Sequence, residues 1–412
     1  MASVVYDVIV VGGGPAGATA GLHLAQQGIH VVILDKAEFP RAKPCGGGLT
    51  YRVLARFPHL QDAIERLVLN RVNTIHFYAP DLSAVRYTYH EPLVLMIRRR
   101  EFDAMLLEQC RRAGATVMTS ARVNHLVVTN AGVEATTSHG ETFRAKALIG
   151  ADGANSLIAK QAGLRAQWSR EHVVASLVAE IPQTVLDFQD DASISIVFGL
   201  SGLKGYGWVF PRQADVNLGI LGLFSKEQDR SLRTVYEKFI ETLKFQGKIA
   251  PSFIPTNIRG GIIPMNGVIS QTQTDRVLLC GDAAGFVNGL TGEGIYYAMV
   301  SGDLAAQTLV QAFHQNDFSA SRLGRYQRAW QAEIGAELTQ SVQLQKRVFT
   351  NMRFANALVH MVNKQEDLKK VFTDYFMGKM TYRMLKRFLI CHFLPQYLKL
   401  RMMSMFYHEE EN

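Results

Sequence analysis

The sequence has only four cysteines, Cys45, Cys110, Cys280 and Cys391, and they stand far apart. No two have metal-ligand spacing, so a cysteine-built zinc or iron–sulfur centre is excluded and no metal site is expected. Scattered thiols without a leader-like segment point to a reducing compartment, so we expect a cytoplasmic protein. The apolar run at residues 8–11 has no basic flank and runs into Gly12, which makes it a strand rather than a leader. No apolar stretch is long enough to span a bilayer. The strongest, residues 276–299, carries Asp282, Glu293 and five glycines. Charged residues are scarce at 19% and hydrophobic ones reach 48%, a balance that excludes a disordered chain. Internal repeats and low-complexity segments are absent.

What is abundant is glycine, 34 residues falling largely in clusters. The length of 412 residues exceeds one ordinary domain. The net charge of +8 is uneven. Residues 341–408 hold twelve Lys or Arg against three acids, an excess larger than the surplus of the whole chain. A basic C-terminal module on a near-neutral body points to an anionic surface. No nucleic-acid recognition motif accompanies the charge, so nucleic acid is not the expected partner.

Hydrophobic periodicity predicts a strand at residues 6–11, a helix ending near Gln27 and a strand at 29–34. Short strands follow at 74–78, 85–89 and 94–97, and a helix at 99–112 carries Phe102, Met105 and Leu106 on one face. Further strands are expected at 116–118, 123–128, 133–136 and 147–149. Residues 170–265 read as an antiparallel sheet, with strands at 173–180, 193–198, 207–211 and 216–223 and a helix at 232–245. A buried strand returns at 277–279, and from Gly294 onward the pattern is almost wholly helical.

Between the first strand and helix lies Gly12-Gly13-Gly14-Pro15-Ala16-Gly17, a G-x-G-x-x-G sequence. Gly12 allows the tight turn, Gly14 lets the backbone approach a pyrophosphate, and Gly17 lets the helix pack close to the strand. The phosphates then meet the helix N-terminus, whose free N–H groups favour anions. Asp35, 18 residues beyond Gly17, ends the second strand where it can reach a ribose hydroxyl. This βαβ opening predicts dinucleotide binding. Two more loops follow strand ends, Ala151-Asp152-Gly153-Ala154-Asn155-Ser156 and Gly281-Asp282-Ala283-Ala284-Gly285. Their acids can accept hydrogen bonds from ribityl hydroxyls.

The three motifs in this order resemble the flavin-binding set of the p-hydroxybenzoate hydroxylase superfamily. The resemblance covers residues 5 to about 300 and implies FAD as the tightly held nucleotide. It also implies that Arg99, in Arg99-x-x-Phe102-Asp103, lies near the cofactor phosphates, and that Ala16, Val123, Gly294 and Ile295 belong to the cofactor site. Three segments narrow the family. Lys43-Pro44-Cys45-Gly46-Gly47-Gly48-Leu49 resembles the Cys-Gly loop of geranylgeranyl reductases. Gly205-Tyr206-Gly207-Trp208-Val209-Phe210-Pro211-Arg212 resembles their Tyr-x-Trp-x-Phe-Pro lipid-site signature. Residues 281–295 resemble their second flavin motif, with Asn288-Gly289-Leu290 departing from Asn-Pro-Leu.

The fold expected is α/β (α+β overall): a Rossmann-like FAD-binding domain (1–71, 98–165 and 270–312) interleaved with an antiparallel-sheet substrate domain (72–97 and 166–269), then a C-terminal helical lobe (313–412). The resemblance implies a FAD-dependent reductase of isoprenoid double bonds. Cys45 would be the catalytic residue beside the flavin, with Gly46 and Gly48 in the cofactor loop. Tyr206, Trp208, Phe210 and Pro211 would bind a geranylgeranyl or related polyprenyl chain. From alternation alone, Tyr206, Trp208 and Phe210 line one face of a strand, which suits a lipid cavity or an ordinary packing core. A monooxygenase or halogenase on the same fold is one rival reading. An electron-transfer flavoprotein reducing a quinone at a membrane is another.

The reductant is NADPH or ferredoxin, because no second G-x-G-x-x-G marks a resident nicotinamide domain; a protein electron donor is thus one option. His90, His125 and His139 have no partner spacing and read as structural or solvated. Residues 379–394 read as a basic amphipathic helix with Lys379, Arg383, Lys386 and Arg387 on one face, followed by an apolar segment at 397–406. Such an element lies on an anionic membrane, apolar side down, so peripheral association is expected; a closing helical lobe is the other reading.

Overall fold

The computed structural model describes residues 5–185, 192–223, 231–392, 394 and 398. The chain divides into two compact units. The first comprises Met1–Lys43, Arg99–Val173 and Ile263–Thr339; the second comprises Pro44–Arg98, Val174–Ile262 and Gln340–Asn412.

The first unit is built on a six-stranded sheet. Its order is Gln273–Thr274, Val277–Leu279, Ala147–Gly150, Val8–Val11, Val31–Leu34, Thr116–Met118. All neighbours run parallel except the edge pair Gln273–Thr274 and Val277–Leu279. The central strands Val8–Val11 and Val31–Leu34 are wholly apolar and mostly β-branched because helices cover both faces of such a sheet. The first strand has later strands on both sides, so the chain reverses direction there and opens a crevice at the strand ends. Helix Pro15–Gln26 starts in that crevice, with proline where a missing N–H costs nothing. It packs on the 21-residue helix Ile295–Gln315. Helix Ala320–Trp330 covers the Gln273–Thr274 edge. Strands Val123–Val128, Val133–Thr137 and Thr142–Ala145 form a small antiparallel sheet in the same unit.

The second unit is built on a seven-stranded sheet ordered Arg259–Ile263, Val174–Pro182, Asp215–Leu223, Gly205–Pro211, Ser193–Phe198, Thr74–Tyr78, Ala84–Thr88. One face packs against helix Leu232–Phe245, where Val209, Ile220, Tyr236 and Phe239 form the core. Ser231 caps that helix by accepting from the Thr234 N–H. A three-stranded sheet of Gly48–Thr50, Val94–Met96 and Asn70–Val72 completes the unit's β-structure. Helices Met352–Val362 and Glu366–Phe376 pack at the Ala84–Thr88 strand, and Tyr382–His392 rests on Glu366–Phe376.

The expected α/β class and Rossmann-like sheet are present, and four readings need correction. The large sheet is not wholly antiparallel: Ser193–Phe198 runs parallel to Thr74–Tyr78, because the sheet is assembled from two separate passes of the chain. Residues 44–71 group with the second unit, since Gly48–Thr50 and Asn70–Val72 both pair with Val94–Met96. Residues 313–339 group with the first unit, since helix Ala320–Trp330 seals its sheet edge, so 313–412 is not one lobe. The basic helix spans Tyr382–His392 rather than starting at Lys379. Gly378, with φ at +72°, ends the preceding helix, and the Thr381 hydroxyl accepts from the Met384 N–H to start the next. Apart from Leu398, the apolar segment expected at 397–406 lies outside the described residues.

Candidate functional site

In the first unit, the glycine loop turns between strand Val8–Val11 and helix Pro15–Gln26. Gly12 has φ at +105°, and a Cβ there would overlap the Ala151 carbonyl. Only glycine can therefore stand where the first and second motifs touch. A Cβ on Gly17 would overlap the Gly12 carbonyl oxygen, so the helix sits against the turn as closely as backbone allows. Ala16 is buried at the helix start. At Gly14 a Cβ would meet nothing nearer than Arg41 Nη2 at 3.6 Å. No side chain caps this helix, so its first N–H groups face that open side.

Asp35 is buried. Its Oδ2 accepts from the Gly13 N–H at 2.7 Å and its Oδ1 from the Ala37 N–H at 2.8 Å. A carboxylate has about four lone-pair positions, so two stay open. Val123 is buried at the start of its strand. Arg99 forms a bidentate pair with Asp103, at 2.7 and 2.8 Å. Asp103, fully buried, also holds Arg41 Nη2 at 3.0 Å, which directs Arg41 toward Gly14.

Asp152 spends most of its capacity within its own loop. Its Oδ1 accepts from the Ser156 hydroxyl at 2.5 Å, and its Oδ2 from the Leu157 and Ile158 N–H groups at 2.7 and 3.1 Å. Burial pushes its carboxyl above the ordinary value. Its first structural role is thus to start helix Leu157–Gln161. Gly281 and Asp282 form the turn after strand Val277–Leu279, and a Cβ on Gly294 would stand 3.6 Å from Asp282 Oδ1. Gly294 precedes Ile295 at the start of the long helix, which no side chain caps. The Asn288 side chain braces the connecting loop. Its Oδ1 accepts from the Leu290 and Thr291 N–H groups, both at 3.0 Å, so the loop forms without the proline of the usual pattern.

In the second unit, Tyr206, Trp208 and Phe210 share one face of strand Gly205–Pro211. Gly207 and Val209 face helix Leu232–Phe245 instead. The aromatic face is continuous. Ring centroids lie 6.1 Å apart for Tyr206 and Trp208, and 6.2 Å for Trp208 and Phe210. Phe198 and Phe349 lie at 6.1 and 6.0 Å from Tyr206. The Trp208 indole lies over Gly219, where a side chain would collide with it. Its N–H donates to Asn217 Oδ1 at 2.8 Å, and the Asn217 amide donates to the Cys45 carbonyl at 3.1 Å. Arg212, beyond Pro211, donates to the Gly46 carbonyl at 3.4 Å and to Glu180 at 2.8 Å. These bonds fasten the Cys45–Gly48 loop to the aromatic strand, and a Cβ on Gly46 would meet the Phe210 ring at 2.9 Å. Cys45 is half-buried. Burial raises the Tyr206 hydroxyl far above its ordinary pKa, and a charge on Cys45 would add to the shift. Tyr206 therefore stays a neutral phenol.

The family described as FAD binding domain matches residues 5–333. Digeranylgeranylglycerophospholipid reductase 2 of Methanopyrus kandleri is 30% identical over 382 residues, covering 89% of this chain and 92% of that protein. The chain belongs to the geranylgeranyl reductase family of FAD-dependent oxidoreductases. A geranylgeranyl bacteriochlorophyll reductase-like protein of Thermoplasma acidophilum superposes with a TM-score of 0.80 at 24% identity, covering 93% of this chain and 98% of that one. The halogenase PltM superposes at 0.70 with 19% identity, covering 93% and 85% of the two chains, which shows a shared fold.

The first unit of this oxidoreductase suits FAD by its donor set. Arg41 Nη1 and Arg165 Nε are buried without hydrogen-bond partners, and an anionic nucleotide supplies acceptors for such atoms. Arg41, Arg165 and Trp168 carry no sequence signal, since each is a single residue in a loop. The fold alone brings them to the motifs. The Arg165 guanidinium stacks on the Trp168 ring at 4.0 Å and donates to the Ala154 and Ala283 carbonyls at 3.2 and 3.3 Å. It thereby ties the loop at residues 151–156 to the loop at residues 281–285. His90, His125 and His139 are exposed. Among the described residues no group of His, Cys, Asp and Glu could hold a metal ion, and no helix is long and apolar enough to cross a membrane.

Proposed function

We propose that this oxidoreductase saturates double bonds of a geranylgeranyl or related polyprenyl lipid. The observation that carries the reading is the Cys45 loop, fastened through Asn217 and Trp208 to a strand whose Tyr206, Trp208 and Phe210 form a continuous aromatic wall. Apolar rings accommodate an isoprenoid chain and exclude water, and they offer π-faces to developing positive charge, worth about 1–2 kcal/mol each. FAD, which the glycine loop, Asp35 and Arg41 would hold, would supply the hydride for one alkene carbon once reduced by NADPH or a ferredoxin. The other carbon needs a proton, and the Cys45 sulfur and Tyr206 oxygen are the groups on this wall that carry one. Trp208 and Asn217 hold the Cys45 loop in register by their hydrogen bonds.

The test is anaerobic incubation of the FAD-loaded protein with dithionite and digeranylgeranylglycerophospholipid, followed by mass spectrometry. A gain of two hydrogens per double bond is expected. Oxygen or halogen incorporation under air would favour the monooxygenase or halogenase reading, and an unchanged lipid would favour electron transfer to a quinone. In the same assay Cys45→Ala is expected to keep its FAD and to lose turnover by about a hundredfold, the scale of one positioned proton-transfer group. Turnover equal to wild type would reduce Cys45 to packing.

A lipid substrate requires approach to a bilayer. Arg383, Lys386 and Arg387 are exposed on helix Tyr382–His392, as are the apolar Met384 and Ile390, with Leu394 and Leu398 beyond. Leu385 is buried against the unit, so the helix is anchored while its outer side is free. Lys379 lies outside it, over the Tyr89 ring at 4.4 Å. Each cation near an anionic surface contributes about 1 kcal/mol, fading within roughly 8 Å at physiological salt. Changing Arg383, Lys386 and Arg387 to Gln is expected to release the protein from anionic liposomes at low salt with FAD retained. Equal sedimentation of the triple variant would place membrane contact elsewhere.

A further inference from the structure

Helix Ala320–Trp330 is anchored by one face only. Leu323, Tyr326 and Trp330 are buried, and the Tyr326 hydroxyl donates to the Leu279 carbonyl at 2.8 Å. The outer face lines an open cavity of about 680 Å³ with Ser321, Arg322, Arg325, Arg328, Ala329 and the nearby Asp317. Three guanidiniums therefore meet one carboxylate. The Nε and Nη2 atoms of Arg322 are buried and have no hydrogen-bond acceptor. Asp317 does not satisfy them: its Oδ1 accepts from the Ser319 N–H at 3.0 Å, and its carboxyl is held below the ordinary value first by bonds to Ser319, with Arg322 a smaller cause. The helix N-terminus is occupied too, because Asp275 takes the Ala320 N–H at 2.5 Å and Ser319 the Arg322 N–H at 3.3 Å. What lacks a counterpart is the arginine cluster itself.

Buried guanidinium nitrogens without an acceptor, such as Nε and Nη2 of the half-buried Arg322, are costly, and the planar fork matches phosphate oxygens in pairs. The cavity falls within the range of roughly 300–1,000 Å³ typical of small-molecule sites. We propose that Arg322, Arg325 and Arg328 form a binding site for a small anion bearing a pyrophosphate group, separate from the glycine-loop site and independent of the lipid reading. Arg322 is the inner ligand, and Arg325 and Arg328 close on the phosphates from the exposed side. Asp317 weakens the site by like charge.

The experiment is isothermal titration of FAD-loaded protein with inorganic pyrophosphate and, separately, with ADP, following flavin absorbance to show that FAD stays bound. Saturable binding of at least one probe at millimolar concentration or below is expected. Tighter binding of ADP would identify a nucleotide as the ligand, and equal binding would identify a free polyphosphate. Arg322→Gln is expected to weaken binding about tenfold or more, the loss of a charge-assisted pair. Asp317→Asn, which can still accept the Ser319 N–H, is expected to tighten it severalfold. Absence of binding by either probe, or Arg322→Gln and Asp317→Asn both leaving the affinity unchanged, would overturn the proposal. Unaltered melting temperatures of the two variants without ligand would show that the fold is intact in each.

Discussion

Gly14→Val protein is expected to fold normally and to purify without flavin. The backbone at Gly14 is extended, with φ −74° and ψ −176°, a conformation open to β-branched residues. A Cβ there makes only an ordinary 3.6 Å contact with Arg41 Nη2, so the polypeptide itself has room for the side chain. On the reading proposed above, that room is left for the cofactor phosphates. Valine methyls in front of the uncapped helix would block the approach of a pyrophosphate to the free N–H groups and to Arg41. We expect FAD affinity to fall by about a thousandfold, some 4 kcal/mol. The check is the flavin-to-protein absorbance ratio, read beside the unfolding midpoint of the flavin-free wild type. Gly17→Val is the contrasting variant: its side chain would overlap the Gly12 carbonyl, so it should fail to fold. Full flavin occupancy in Gly14→Val would remove this loop from the phosphate site.

Asp103→Asn is expected to lose both stability and cofactor. Asp103 is fully buried and is the shared counter-ion of Arg41 and Arg99. Neutralising it leaves two guanidiniums facing each other in a poorly solvated site, and breaking a buried pair of this kind costs about 3–5 kcal/mol. Arg41 also loses the bond that points it toward Gly14, so FAD binding weakens as well. Urea unfolding with and without saturating FAD separates the two effects. Part of the lost stability should return with FAD, since phosphates supply negative charge beside Arg41 and ligand binding favours the folded state. A loss under about 1 kcal/mol, with normal FAD affinity, would show that Asp103 is not needed as a counter-ion.

The parts of this structure legible in the sequence are those with periodicity or local chemistry. Helix Arg99–Arg112 was legible at its full length and a helix around Leu232–Phe245 was legible too, because each has an apolar stripe. Strand Val123–Val128 was equally clear. Gly48–Thr50 and Asn70–Val72 were not: unlike the equally short apolar Val277–Leu279, they contain glycine, asparagine and arginine, and both exist by pairing with Val94–Met96. The glycine loop and Asp35 carry a spacing that announces itself. Arg41 and Arg165 do not, because an arginine acquires meaning only when a distant carboxylate or ring fixes it. The sequence pattern of Asp152 marks its position after a strand, yet its bonds to Ser156, Leu157 and Ile158 depend on a helix too short to show periodicity. Alternation put Tyr206, Trp208 and Phe210 on one face, whereas their link to Cys45 runs through Asn217, which no spacing marks.

The contact between the first and last long helices of the cofactor unit sets an order of events. A Cβ on Gly302 would overlap the Ala16 carbonyl, and one on Gly281 would stand 3.0 Å from the Ala16 methyl. Gly12 is in turn pressed against Ala151. Segments nearly 300 residues apart in the chain thus fix the shape of one short turn near the start. During synthesis that turn leaves the ribosome early, while the pieces that hold it in shape leave late. At about 5–20 residues per second the wait is on the order of 15–60 seconds. A nascent chain stalled before Gly302 would therefore carry the glycine loop without the distant backbone that packs against it in the folded unit.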